Sequence, residues 1–104
     1  MTGSEMTGIG ISHNETNGKG RYEARIKGQA EIGELTYSRV TETLIIADHT
    51  FVPASLRGHG LAQALVTRLI ADARKQGERI VALCPFVRAH AQKHREELAD
   101  VIQW

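Results

Sequence analysis

The most informative segment of the chain leaves an apolar run and enters a predicted amphipathic helix. It reads Val52-Pro53-Ala54-Ser55-Leu56-Arg57-Gly58-His59-Gly60-Leu61-Ala62. Upstream, residues 43–52 are mostly apolar and β-branched, which predicts a central strand. The strand ends at Pro53 because proline lacks the amide proton of the ladder. Downstream, Leu61, Leu65 and Leu69 recur at helical spacing, so the unit is predicted to be strand, turn and helix.

The glycine turn inside this stretch has the features of a phosphate site. Gly58 and Gly60 let the backbone approach an anion without a Cβ in the way. The free amides and the dipole at the start of a helix favour negative charge, and Arg57 either adds charge or pins the loop. The alternative is that the glycines only make a tight connection. A P-loop and a dinucleotide fingerprint are excluded, because the first needs Gly-Lys-Ser/Thr and the second a third glycine.

The rest of the chain supplies further elements of a sheet with helices. Alternating or helical apolar spacing predicts strands and helices over residues 21–27, 29–39, 60–76, 79–83 and 87–98. Gly28 is the predicted turn between the first two strands, Gly33 a predicted bulge, and Gly77 the predicted end of the first helix. Strands followed by a strand–helix–strand unit predict an α+β fold with a mixed sheet.

Length and composition limit the function classes. The 104 residues are enough for one domain, and 41% hydrophobic with 24% charged residues is typical of a folded protein. Residues 1–20 are rich in Gly, Thr, Ser and Asn, which predicts a flexible N-terminal arm, with one edge strand near residues 8–12, before a domain over residues 21–104. The net charge of +1 without a basic cluster disfavours a nucleic-acid partner.

Cysteine use and hydropathy bear on the compartment. Cys84 is the only cysteine, which excludes an intrachain disulfide. Neither a membrane-spanning run nor a signal peptide is present in the sequence, so we expect a cytoplasmic protein with no membrane partner.

Three motifs resemble the small, truncated branch of the GNAT superfamily of acetyltransferases. Arg57-x-x-Gly60-x-Ala62 resembles the superfamily signature Arg/Gln-x-x-Gly-x-Gly/Ala at the expected strand-to-helix junction. It is flanked, in the order of that branch, by His49-Thr50-Phe51-Val52-Pro53 and Leu83-Cys84-Pro85-Phe86-Val87. The resemblance covers residues 21–96 and implies the GNAT-like (acyl-CoA N-acyltransferase) fold: a mostly antiparallel mixed sheet, helices packed on it, and strands splayed at the CoA site.

The resemblance also implies a ligand and where it binds. Acetyl-CoA, as cosubstrate and without a metal, would lie between the strand ending at Val52 and the strand ending at Cys84. The pantetheine arm would pair with the backbone of Phe51 and Val52, and the pyrophosphate would lie on the turn. The implied coenzyme-binding residues are Phe51, Val52, Arg57, Gly58, His59, Gly60, Leu61 and Ala62. The acetyl group would pass to a small-molecule or protein amine.

Cys84 and His90 are the candidate catalytic residues. Cys84 ends a predicted strand before a helix, where a thiolate could accept an acyl group, and the branch carries a cysteine in this motif. The alternative is a small buried hydrophobic residue beside a direct transfer. His90 or His94 could relay a proton, and at the position of His90 the branch more often has a phenol. Alternatively, His90 and His94 could join Cys84 in a zinc site, or both could be exposed on a polar helix.

Several departures from the family pattern leave other functions open. Phe51 stands where an acidic residue is common, and Arg95 where proline is usual. Only Gly28 separates the first two predicted strands, where full-length GNAT domains have helices that build the acceptor site. An N-acetyltransferase is therefore the leading hypothesis, with a non-catalytic CoA-binding or regulatory module and a protein-interaction domain as alternatives. We expect a monomer or a weak homodimer, with Trp104 either at a dimer patch or packed on its own domain.

Overall fold

The computed structural model describes residues 8–104, which form one sheet with two helices packed against it. The elements in chain order are β1 (Ile9–Thr16), β2 (Lys19–Ile26), β3 (Ile32–Thr41), β4 (Leu44–Phe51), a 3₁₀ turn (Ala54–Leu56), α1 (Leu61–Gln76), β5 (Arg79–Ala82) and α2 (Pro85–Lys93). The strand order is β1-β2-β3-β4-β5, antiparallel from β1 to β4 and parallel between β4 and β5. The predicted α+β fold with a mixed, mostly antiparallel sheet is confirmed.

The N-terminal region differs from its prediction. Residues 9–16 form an edge strand that pairs with β2 along its whole length. The edge strand predicted near residues 8–12 is therefore present and longer than expected, and this part of the chain is not the flexible arm that was predicted. Residues 1–7 of that arm lie outside the described residues. The β1–β2 connection is a two-residue turn in which Asn17 and Gly18 both have positive φ, as a tight hairpin requires.

The core lies between the sheet and α1. Leu65, Val66 and Leu69 of α1 are buried against the inward side chains of β2 and β3. The Tyr22 hydroxyl donates to Asp72 of α1 at 2.7 Å, which satisfies the polar end of a buried ring. Burial, and then this hydrogen bond, raises the pKa of Tyr22. The helix is thereby fixed across the strands, as the apolar spacing of its sequence predicts.

The bulge next to the site lies in β4 and not at Gly33. Ala47 pairs with Tyr37 and His49 pairs with Thr36, so Asp48 is the extra residue. Gly33 instead pairs regularly with β2. A Cβ on Gly33 would lie 3.3 Å from Leu61 Cδ2 and 3.4 Å from Val52 Cγ2. The glycine therefore allows the start of α1 to lie close to the sheet.

Both ends of α1 agree with the sequence, whereas α2 is shorter than predicted. Gly60 and Gly77 flank α1 with φ of 79° and 69°, and the Gly77 amide donates to carbonyls of the last turn. The prediction of a helix to residue 98 is wrong, because α2 ends at Lys93 and turns follow. These turns bring Ile102 alongside Ile80 of β5 in a parallel bridge.

Candidate functional site

A cleft opens where β4 and β5 part. The two strands pair from Leu44 and Arg79 to Ala47 and Ala82. The last bond between them is the Cys84 amide donating to the Ala47 carbonyl at 2.8 Å. Strand β4 continues to Phe51, paired only with β3. The splayed strands that the resemblance implied are therefore present.

The start of α1 faces this end of the sheet with unused backbone donors. Gly58 and Gly60 have φ of 85° and 79°, a region that other residues rarely adopt, and a Cβ on either would meet nothing within 4 Å. No side chain of the described residues caps α1, and its first turn has no acidic residue. The first amides of a helix have no intrahelical acceptor. The turn thus presents amides and a positive dipole end to open space, which suits an anion.

The predicted coenzyme residues lie largely in one place. A cavity of about 270 Å³ is lined by Val52, Leu56, Arg57, Gly58, Gly60, Leu61, Ala62, Gln63 and Phe86. Phe51 and His59 are exposed and do not line it. The Arg57 Nε donates to the Val52 carbonyl at 3.2 Å, so the guanidinium pins the turn to the end of β4.

Exposed apolar side chains surround the cleft. Phe51 ends β4, Leu83 follows β5 and Phe86 opens α2, and these side chains are 48%, 62% and 39% exposed. Large apolar side chains left in water beside a polar turn are typical of a ligand site. Leu83 and Phe86 belong to the motif Leu83-Cys84-Pro85-Phe86-Val87, yet no separate feature of the sequence predicted their exposure.

Cys84 lies at the parting of the strands with its thiol turned inward. It is 3% exposed, and its Sγ lies 3.2 Å from the Thr50 hydroxyl. It is also the residue before the first turn of α2, which Pro85 opens. Among the described residues, the polar contact of this thiol is therefore with β4 and not with His90.

His90 lies in the space between the two helices. The Gln63 side-chain amide lies 3.4 Å from His90 Nδ1, and the rings of His90 and His94 are 4.6 Å apart between centroids. Burial, and then the neighbouring His94, lowers the pKa of His90. The prediction that both histidines share a face is confirmed. The sequence analysis did not single out Gln63. The only signal that could have done so is its position directly after Ala62, the last residue of the Arg57-x-x-Gly60-x-Ala62 signature.

Two other features of the described residues bear on ligands. A concave surface of about 780 Å³ lies on the sheet face away from α1 and is lined by polar side chains such as Asn14, Arg21 and Asp48. None of its lining residues lines the cavity at the glycine turn. Within residues 8–104, no three His, Cys, Asp or Glu side chains converge as a metal site would require. No helix in this range is long and apolar enough to span a membrane.

Comparison with known proteins agrees with the fold. The model of the family described as GCN5-related N-acetyl-transferase matches residues 21–101. A GCN5-like candidate N-acetyltransferase from Staphylococcus aureus, solved by NMR, is 25% identical with a TM-score of 0.62 over 88% of this chain and 87% of that one. The search of curated proteins found no match. The chain belongs to the GCN5-related N-acetyltransferase (GNAT) family, whose members are acyltransferases.

Proposed function

We propose that the chain binds acetyl-CoA in the cleft between β4 and β5 and transfers the acetyl group to a small-molecule or protein amine. One observation carries the proposal: the uncapped start of α1, with two left-handed glycines, lies beside the point where the strands part. The pyrophosphate would accept hydrogen bonds from the amides of this turn. The pantetheine arm would pair with the unpaired side of β4 at Phe51 and Val52.

Direct transfer of the acetyl group from acetyl-CoA to the amine needs few catalytic side chains. The amine nitrogen attacks the thioester carbonyl, a C–N bond forms, the C–S bond breaks, and the amine proton is lost while the CoA thiolate gains one. His90 is the proposed proton carrier. Its lowered pKa favours the neutral imidazole at pH 7, which can accept a proton.

Charge at position 60 tests the anion site. Gly60→Asp and Gly60→Asn introduce side chains of the same shape, and both residue types tolerate positive φ better than most. We expect Gly60→Asp to bind acetyl-CoA roughly thirtyfold more weakly than Gly60→Asn, because a carboxylate near a phosphate costs about 2 kcal/mol at the effective dielectric of a protein surface. Calorimetric titration measures both dissociation constants.

A control separates this effect from strain. Gly18 also has positive φ and ordinary space around its Cβ position, but it lies in the β1–β2 turn at the opposite end of the sheet. Gly18→Asp should bind acetyl-CoA like the wild type. Equal affinities of Gly60→Asp and Gly60→Asn would refute an anion site at α1. If the wild type does not bind acetyl-CoA, the interaction-domain hypothesis replaces the enzyme.

A covalent route through Cys84 is a second proposal, supported by the position of the residue between β5 and α2, where β4 and β5 part. The Cys84 sulfur would attack the thioester carbonyl and take the acetyl group, while the thiol proton passes to the departing CoA thiolate. We expect intact-mass analysis to find one acetyl group on the wild type and none on Cys84→Ser. An unmodified wild type that still consumes acetyl-CoA with an amine would leave only direct transfer.

A non-catalytic CoA-binding module remains the alternative, and the connections between the first strands favour it. Gly28, predicted to join the first two strands, lies between β2 and β3, and neither residues 27–31 nor the two-residue β1–β2 turn contains a helix that could enclose an acceptor. The module predicts binding of acetyl-CoA without turnover on any amine, and no effect of Cys84→Ser on affinity. Assay of a panel of small amines and peptides, with CoA release as the readout, distinguishes the two.

A further inference from the structure

The two edges of the sheet differ in how they are covered. Strand β5 is four residues long, and the C-terminal segment pairs with it. The Ile80 amide donates to the Val101 carbonyl at 2.7 Å, and the Gln103 amide donates to the Ile80 carbonyl at 2.8 Å. Strand β1 has eight residues, and within residues 8–104 β2 is its only neighbour in the sheet. In this part of the chain, the β1 edge is therefore the longer one and is left open.

The register of the β1–β2 hairpin shows which backbone groups the open edge presents. The Lys27 amide donates to the Gly8 carbonyl at 3.3 Å, so the backbone of Gly8 faces β2. Successive residues of an antiparallel strand turn their backbone groups alternately towards the neighbouring strand and away from it. The amides and carbonyls that point away from β2 therefore belong to Ile9, Ile11, His13 and Glu15.

Strand β1 lacks the features that usually protect an exposed edge. Proteins protect such edges with proline, with lysine, with a bulge or with a very short strand. Residues 9–16 contain no proline, lysine or arginine, and their pairing with β2 is regular over all eight positions. The one carboxylate of the strand, Glu15, is bound to the Arg39 guanidinium at 2.8 Å, which compensates its charge. Another strand can therefore pair with this edge without repulsion from an uncompensated charge.

A second copy of β1 satisfies this edge by symmetry. Two such strands can run antiparallel about a twofold axis through Ser12. In this register Ile9 faces Glu15 of the second copy, and Ile11 faces His13. Each facing pair exchanges two hydrogen bonds, so the two strands form about eight in all. A twofold axis through His13 or Glu15 would instead place a titratable side chain opposite its own copy, which favours the axis through Ser12.

We propose that the protein forms a weak homodimer in which the β1 strands of two copies pair antiparallel and join the two sheets into one. The interface is one pair of strands, which is typical of a small and reversible association. The cleft between β4 and β5 lies at the other side of the sheet, with β2 and β3 in between. The dimer therefore leaves both clefts open, and the inference does not depend on the binding of acetyl-CoA.

Mass as a function of concentration tests the dimer. Analytical ultracentrifugation of the wild type should find a mean mass that rises from 11.5 kDa at micromolar concentration towards twice that value at millimolar concentration. Ser12 is exposed, and Ser12→Lys would place two like charges opposite each other at the twofold axis. We expect the dissociation constant of the dimer to rise at least about tenfold in Ser12→Lys and in Ser12→Glu.

Mixing the two variants tests the register. An equimolar mixture of Ser12→Lys and Ser12→Glu should associate at least as tightly as the wild type, because a lysine then faces a glutamate. This recovery requires that both variants are folded. A mixture that associates no better than either variant alone overturns the pairing through Ser12.

A matched variant separates the edge from the face of the sheet. Thr36 lies in β3, two strands from the edge, and Thr36→Lys adds the same charge as Ser12→Lys. Thr36→Lys should dimerise like the wild type. A dimer that both Ser12 variants leave intact, or that Thr36→Lys weakens equally, has its interface elsewhere and overturns the inference. A wild type that stays monomeric at millimolar concentration overturns it as well, and the edge is then free for an extended segment of another protein.

Discussion

Gly20→Ala will destabilise the protein by about 3 kcal/mol, the upper range for overpacking a well-filled interior. An ideal Cβ on Gly20 would lie 1.9 Å from Tyr37 Cζ and 2.1 Å from Cε2, so the ring would have to move. The ring cannot move freely, because the Tyr37 hydroxyl donates to Glu15 at 2.6 Å and lies 2.8 Å from His13 Nε2. Urea unfolding monitored by circular dichroism measures the loss.

Two further variants make the cause explicit. Gly10 is also a strand glycine, but a Cβ there would meet nothing within 4 Å, so Gly10→Ala should be neutral or slightly stabilising. In a Tyr37→Ser background the ring is gone, and Gly20→Ala should then have little further effect. A loss of the same size with and without the ring would mean that Tyr37 is not the obstacle.

The full length of β1 could not be predicted from the sequence. The apolar residues of β1, Ile9 and Ile11, are too few for a sustained period, so the composition of the region favoured an arm. The strand is held instead by contacts between strands, such as the His13 ring stacked on Tyr22 at 4.2 Å between centroids and the Tyr37 hydroxyl donating to Glu15. The Asn17-Gly18 pair was the one local signal that could have predicted the hairpin.

Other elements were predictable because local chemistry fixes them. The period of α1 and its flanking glycines are properties of one short segment, and the structure reproduces both ends. The bulge at Asp48 and the early end of α2 depend on how distant segments fit together. Gly33 was misread for the same reason, because its missing side chain accommodates Leu61 and not an extra residue.

The candidate site divides in the same way. The glycine turn could be found from the sequence, because glycine is the residue that adopts the positive φ angles this turn needs. The contact between Thr50 and Cys84 joins residues 34 positions apart, and that between Gln63 and His90 joins residues 27 apart. Such pairs follow only from the packed fold. The phosphate-binding part of the site is therefore local, and the chemistry around Cys84 and His90 is not.

Arg39→Met will destabilise the protein by about 3 kcal/mol at pH 7, because removing one partner of a largely buried ion pair leaves the other without compensation. The Arg39 guanidinium is bound to Glu15 at 2.8 Å and to Glu78 at 2.8 Å. Glu78 is only 8% exposed and Arg39 22%, which puts the loss at the low end of the range for buried pairs. The same guanidinium joins β3 to β1 and to the segment between α1 and β5.

The loss will depend on pH with a definite sign. The hydrogen bond from Arg39, and then that from Tyr37, lowers the pKa of Glu15 to about 2 from 4.5. A carboxyl whose pKa is lower in the folded state stabilises the fold above its unfolded pKa and loses that contribution as the pH falls. The gap in unfolding free energy between wild type and Arg39→Met should therefore shrink as the pH falls from 4.5 towards 2.

A surface arginine provides the comparison. Arg25 pairs with Glu23 but is 56% exposed, so Arg25→Met should cost less than about 0.5 kcal/mol. Urea titrations of the three proteins at pH 7, 4.5 and 3 give all the values needed. A gap for Arg39→Met that stays constant across this range would place its stabilisation in packing of the side chain and not in the bond to Glu15.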